Sequence, residues 1–331
     1  MKAYLIRRLL LVIPTLIGIT MILFCVIQLA PGSPVLLRLQ KMQGAMGSES
    51  VPQEIIEQTQ KLYGLDKPLP VQYALWVKRL VTLDFGTSYK DRRPVLDKIA
   101  EALPITLQLN LISIFLVYVI SVPIGVYSAT RPRSAPDAII TFFLFVLYSL
   151  PTFWVAMLLI FFLGGGQHLN WFPIYGISSL GADQMPWSQW LLDRLWHMAL
   201  PLFCLTYAGL ASISRFARAG LIDVVRQDYI RTARAYGFSE RVVILKYALR
   251  NSLIPIITLI GTLLPSLLGG SVIIEQIFSI PGMGRLAFEA MLSRDYPVVM
   301  GILTTSALLT LVGLIISDIL YAIVDPRIRF E

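Results

Sequence analysis

VRQDYIRTARAYGFSERVVILKYALRNSLIP, residues Val225 to Pro255, is the long run of this chain that is strongly basic and free of a membrane-length apolar block. Its pattern predicts helix, break, helix. Ile230 to Tyr236 are mostly good helix formers, Gly237 interrupts them, and Ser239 can cap a second helix. In that second helix Val242, Leu245 and Leu249 fall on one face by helical spacing, with Lys246 and Arg250 opposite. Taken alone, the run reads as a surface helical hairpin lying against a membrane.

The rest of the chain supplies the membrane. Of its 331 residues, 56% are hydrophobic and 15% charged, with a mean hydropathy of +0.70, too apolar for a soluble domain with a polar surface. A bilayer core of roughly 30 Å needs about 20 helical residues. Six apolar spans meet that length, near residues 9–30, 103–129, 138–163, 195–213, 252–275 and 297–324. The first follows Lys2, Arg7 and Arg8, and its apolar run is too long for a signal peptide and ends in Pro31 in place of a small-residue cleavage site, so it reads as a retained helix.

Orientation follows from the cations. With the N-terminus inside, segments 1–8, 130–137, 214–251 and 325–331 carry 15 Lys and Arg in 61 residues, against 3 in 52 for the short external loops 164–194 and 276–296. Basic residues in short loops resist translocation, so both ends and the Gly237 loop are expected in the cytoplasm. This distribution also accounts for the net charge of +8 without nucleic acid as a partner. Cys25 and Cys204 lie in separate apolar spans and read as packing residues; His168 and His197 have no Cys or His partner at ligand spacing, so no metal site is indicated.

The Gly237 loop also resembles a known signature. Arg231-Thr232-Ala233, three residues, then Gly237 is similar to the E-A-A, three, G motif in the cytoplasmic loop of ABC importer permeases. That family generally has Glu and Ala where this chain has Arg231 and Thr232, and an I-x-L-P ending where it has Tyr247, Leu249 and Arg250. RTARA-x-G and the ending ALRNSLIP (Ala248 to Pro255) instead resemble the dipeptide, oligopeptide and nickel branch. The external segment 31–102 adds Tyr63 to Trp76, similar to LGLDKPLPVQYxxW with Tyr63 replacing Leu, and Asp84 to Ser88, similar to D-L/F-G-x-S. Glu275 to Gly284 matches E-x-I-F-S-x-P-G-x-G, Arg294 to Pro297 matches R-D-Y-P, and Asp325 to Phe330 supplies the DPRIRF tail.

The resemblance implies an all-α polytopic membrane protein with six transmembrane helices and the type I ABC importer permease fold. Residues 1–102 would hold the first helix and the extracytoplasmic segment, and 103–331 a permease core of five helices with a cytoplasmic coupling loop at 214–251. It implies that Tyr229, Arg231, Thr232, Ala233, Ala235, Gly237, Phe238, Ser239 and Glu240 dock the ATPases. Two ABC ATPase subunits would bind ATP and Mg, a second homologous permease would complete the path, and an extracytoplasmic substrate-binding protein would deliver peptide; the 31–102 segment reads either as a solvated extracytoplasmic cap or as a surface that helps to seat that protein.

Candidate pathway or gating residues are Pro265, Gly269, Gly270, Glu275, Phe278, Pro281 and Gly282. The prolines and glycines that recur in the spans, from Pro104 to Gly270, permit kinks and close helix approach. The Pro281-Gly282 turn followed by an amphipathic stretch from Arg285 to Leu292 predicts a re-entrant external element.

Other chemistries are poorly provided for. The chain has no G-x-x-x-x-G-K-[ST], so no P-loop of its own, and it lacks H-E-x-x-H and a G-x-S-x-G in strand-turn-helix context. The alternative is an ion-coupled secondary transporter or a channel, which normally carries ionisable groups near the midplane and often inverted repeats. Only Asp318 lies well inside a span, within two turns of its cytoplasmic end, and no repeated half is seen.

Overall fold

Long apolar runs free of strand-type alternation give long helices. The computed structural model describes residues 2–29, 67–164, 168–253, 256 and 271–324. Outside them lie Gln53 to Tyr63, a polar stretch that the sequence reads as a helix candidate, most of the fifth predicted span with Pro265, Gly269 and Gly270, and the DPRIRF tail. Among the described residues four helices are long and apolar enough to cross a membrane, or five if one bent pair is a single span. The chain divides into two compact units, one of residues 2–101 and 287–308, the other mainly of residues 102–286 and 309–331.

The first unit begins with α1 (Lys2–Leu29), an apolar rod with Leu9, Leu10, Ile13 and Ile22 all exposed. Such a helix is stable where lipid covers its sides. It packs on α2 (Leu69–Val81), which starts behind Pro68. Phe24 lies against Tyr73 and Trp76, with ring centroids 5.5 and 6.1 Å away, and the Thr20 and Tyr73 hydroxyls are 3.0 Å apart.

A tight reversal follows, with Thr87 bridged to Pro94 and left-handed backbone at Gly86 and Arg92. It leads into α3 (Val95–Thr130). Val95 and Ile99 are buried beside Val298 and Ile302 of α12 (Tyr296–Val324). Gly301 allows that approach, since a Cβ there would fall 2.6 Å from Val95 Cγ1.

The second unit is built on α4 (Ala135–Ser149), α5 (Thr152–Leu163) and α6 (Trp187–Val225). The predicted third span, 138–163, is two helices meeting at 97°. Pro151 explains the break: the residue before a proline is pushed out of the α region, and Leu150 is extended at φ −82°, ψ 128°. The bend leaves the Leu150 carbonyl without a helical donor, and the buried Tyr207 hydroxyl donates to it at 2.7 Å. Pro104, Pro123 and Pro201, by contrast, are carried inside continuous helices.

The predicted fourth span, 195–213, also differs. α6 runs on to Val225, because Ala217 and Leu221 continue its buried face past the apolar block. Its 39 residues reach about 58 Å, nearly twice a bilayer core. α6 and α3 come close at Gly125, where a Cβ would meet Ala217 Cβ and the Ser214 carbonyl at 2.5 Å. Leu109, Val155, Met198, Cys204, Tyr207, Ile274, Phe278 and Ile280 form the main core.

Candidate functional site

The loop after α6 begins with α7 (Asp228–Ala235). Ile230 and Ala233, three residues apart and so on one face, are both buried. They join Leu221, Val243 and Ala248 in a small core of their own. The chain then turns at Gly237, whose φ of +79° is the left-handed conformation that glycine adopts without strain. No atom lies within 4 Å of the position a Cβ would take, so the glycine is required by backbone conformation and not by crowding.

α8 (Glu240–Val242) follows, and Ser239 does sit at its N-cap. The hydroxyl makes no capping bond, however; the Ser239 carbonyl accepts from Val243 N at 3.0 Å. Beyond α8 the helix widens into a π turn, Val243–Ala248, before α9 (Leu249–Ser252). This overturns the predicted apolar face. Leu245 is 60% exposed and Val242 is exposed, whereas Val243 and Ala248 are completely buried. Those two are five residues apart, one π turn, so a reading at spacings of three and four selects the wrong side.

The nine predicted loop residues fall between 229 and 240, with Ala233 in the buried base and Gly237 to Glu240 at the turn. Arg234 reaches across Gly237 to fork onto Glu240, with Nε to Oε1 at 2.8 Å, tying α7 to α8. Asn251 Nδ2 donates to the Tyr229 hydroxyl at 2.7 Å, which closes the base. Thr232 donates to the Asp228 carbonyl, while the Arg231 to Asp228 pair is almost fully exposed and contributes little. Around this frame Tyr236 is 79% and Phe238 46% exposed. Aromatic rings standing in solvent on a stapled, rigid turn are a surface shaped for contact.

The second predicted group is centred on Glu275, in α10 (Val272–Ile277). Its carboxylate is buried and lies under the start of α11 (Met283–Leu292). The first three N–H groups of a helix have no intrahelical acceptor. Here Met283 N donates to Thr106 Oγ1 at 2.8 Å, and Arg285 N and Gly284 N donate to Glu275. Thr106 in turn donates its hydroxyl hydrogen to Glu275 Oε1 at 2.9 Å. A carboxylate from elsewhere in the chain thus caps α11 and answers its positive end.

Gly282 makes room for this arrangement: a Cβ would fall 2.6 Å from the Glu275 carboxyl and from Thr106 Oγ1. Phe278 is buried in the main core and Pro281 is exposed. The E-x-I-F-S-x-P-G-x-G run is therefore a capping device in which glycine, acid and helix start occupy one place. It and the Gly237 loop belong to separate hydrophobic clusters.

Two groups in this unit carry no sequence-level prediction. Thr106 is one. The other is Asp137, buried at the start of α4, which accepts from Arg218 Nε and Nη2 at 3.1 and 2.8 Å and from Arg133 N at 3.0 Å. It ties the turn after α3 to the part of α6 that leads into the Gly237 loop. Ser134 caps α4 locally, its hydroxyl oxygen accepting from Asp137 N at 3.4 Å, while the arginine lies 81 residues on.

Helices long enough to span a bilayer, with a loop held on its own small core, mark a multi-pass membrane protein. A sequence profile described as "Binding-protein-dependent transport system inner membrane component" matches residues 121–330, and one for the N-terminal part of such components matches residues 1–110. The chain belongs to this family and is thus a transporter subunit, whose ATPase resides on separate chains. It is 44% identical over 331 residues to the oligopeptide transport system permease protein AppB of Bacillus subtilis, covering 100% of both chains.

It is 35% identical over 348 residues to the dipeptide transport system permease protein DppB of Escherichia coli K12, again across 100% of both. A peptidoglycan transport system permease protein, YejB of Agrobacterium fabrum, is 34% identical over 360 residues, covering 100% of this chain and 99% of the relative. Among solved structures, an inward-facing MetNI methionine ABC transporter matches with a TM-score of 0.52 at 17% identity, covering 69% of this chain and 96% of the other, a likeness of fold.

Proposed function

We propose that this chain forms half of the translocation path of a peptide importer, facing a second homologous permease. Two ATPases that bind ATP and Mg dock on the cytoplasmic loops of the two permeases, this chain contributing its Gly237 loop, and an extracytoplasmic binding protein delivers peptide from the other side. Residues 1–102 form the first helix and the extracytoplasmic segment, and 103–331 the permease core. The peptide cargo is supported by identity along the full length to the AppB and DppB proteins.

One observation carries the coupling role: the tip of the loop is exposed and aromatic while its base is fixed by Ile230, Ala233, Val243 and Ala248. A stiff knob transmits displacement; a slack one would absorb it. Moving a path from 1:99 to 99:1 between its two states takes about 5.5 kcal/mol of differential binding. The proposed source is ATP binding to the docked partners.

Uptake of labelled di- and oligopeptides, measured in cells with and without this chain, tests the cargo; unchanged uptake would remove it. The orientation is tested with single cysteines at Ser188 and Ser239, both exposed. A membrane-impermeant thiol reagent should label the first in intact cells and spare the second. Labelling of Ser239 from outside would invert the topology and remove the ATPases from the loop.

A further inference from the structure

α3, α4 and α6 enclose a groove of about 130 Å³. Its lining is mostly apolar, with Ile124, Ile140, Leu144, Phe145 and Ala211 beside the hydroxyls of Ser128, Thr141 and Ser214, and it includes Arg215 and Arg218. Their positions differ in kind. Arg218 is committed to Asp137, whose carboxylate it forks. Arg215, one helical turn before it, is exposed, and among the described residues no carboxylate is paired with it. Its guanidinium carbon lies 6.0 Å from the centre of the Phe145 ring, at the outer limit of a cation–π contact. Arg215 lies two residues beyond the apolar block of α6, the depth at which a span leaves the hydrocarbon.

A guanidinium without a paired carboxylate in the lining of a mostly apolar groove between membrane helices suits one kind of occupant: an acyl chain in the groove and a phosphate at the cation. We propose that this groove binds an anionic phospholipid, its phosphodiester oxygens accepting from Arg215 and one acyl chain lying against Ile140, Leu144 and Phe145. The exposed Ser212 hydroxyl on the same rim can donate to the phosphate as well. Charge complementarity selects the ligand, because a zwitterionic headgroup brings its own cation to a place already holding one. The inference rests on the chain spanning a bilayer, and not on which side the groove faces.

The test uses the full chain in its assembled complex, extracted in mild detergent, stripped of lipid, and titrated with phosphatidylglycerol or phosphatidylcholine. Bound lipid is counted by native mass spectrometry. The wild type should retain one phosphatidylglycerol per chain that phosphatidylcholine does not displace. Arg215→Gln should weaken it about fivefold, the equivalent of about 1 kcal/mol per interfacial cation. Arg215→Lys should stay close to the wild type, and Lys78→Gln, which removes an exposed charge elsewhere, should change nothing.

Equal retention of the two lipids, or equal losses in the Gln and Lys variants, overturns the proposal. So does competition by inorganic phosphate as strong as by lipid, which would make the site one for a small anion. A cysteine at Thr141 that cross-links to the second permease chain would show protein in the groove, and also overturns it. Failure of the membrane reading gives a different result, retention of neither lipid.

Discussion

The Ser88 hydroxyl donates to the Asp295 carboxylate at 2.5 Å across 207 residues of chain. The same carboxylate accepts from Tyr89 N at 2.9 Å, and Ser88 and Asp295 are both buried. The D-F-G-x-S and R-D-Y-P runs are therefore one object, a clamp that holds the reversal at 84–95 against the turn before α12. Removing the acid strands a buried hydroxyl and a backbone N–H, at about 1–3 kcal/mol for each unsatisfied group. Asp295→Ala should lower the melting temperature of the purified chain and open residues 88–94 to protease. Ser88→Ala, which strands only part of the acceptor, should cost less. An Asp295→Ala chain as resistant as the wild type would refute the clamp.

A second prediction concerns the cap of α11. Gly282→Ala puts a methyl group 2.6 Å from two polar groups that cannot move without uncapping the helix. A cost of roughly 1–3 kcal/mol is expected from overpacking. Glu275→Ala removes the acceptor for two N–H groups and should be at least as harmful. Gly181→Ala is the control for strain alone, because that glycine is also left-handed, at φ 80°, but has open space around it. It should be milder than Gly282→Ala in thermal melts. The reverse order would mean that the 275–285 turn is not a packed capping device.

How far the sequence carried depended on whether the cause was local. Helix α11 was legible from its Pro-Gly turn and amphipathic run. Helix α7 and the break at Gly237 were readable because one residue type sets each. The bend at Pro151 was not, since prolines in α3 and α6 are carried without a sharp break and only packing decides which one bends; Tyr207, which accommodates it, is 57 residues beyond Leu150. The buried face of the Val243–Ala248 turn was not legible because a π turn brings residues five apart onto one side, where an α-helix brings those three and four apart. Thr106, Asp295 and Arg218 were invisible as partners for the same reason: each completes a hydrogen-bond set begun elsewhere in the chain.

Acid sensitivity should be measurable at Asp91. Burial opposes its ionisation, but hydrogen bonds from Lys98 and the Arg93 backbone outweigh that and hold its pKa at about 2, against an ordinary 3.8. A lowered acid pKa contributes stability above about 3.8, and the contribution is lost as pH falls toward 2. The carboxylate is 39% exposed, so solvent screening cuts the contribution to about 1 kcal/mol or less. Asp91→Asn should therefore melt slightly below the wild type at neutral pH, and the gap should close between about pH 4 and pH 2. A gap that widened on acidification would have the wrong sign.

The last prediction tests the stroke itself. At φ +79° with nothing within 4 Å of a Cβ, Gly237 is a position where a side chain would fit in space but not in backbone energy. A β-branched residue should cost about 1–3 kcal/mol there, relieved by turning α8 relative to α7 and pulling the Arg234 to Glu240 fork apart. The core beneath, with Ile230, Ala233, Val243 and Ala248, is untouched, so Gly237→Val should insert and accumulate as the wild type does. Peptide uptake and substrate-stimulated ATP hydrolysis by the assembled complex should be lost, with Gly237→Ala intermediate. Glu240→Gln, which weakens the fork without straining the turn, should reduce coupling only modestly. A correctly assembled Gly237→Val complex with full coupled ATPase activity would mean that this loop does not carry the motion.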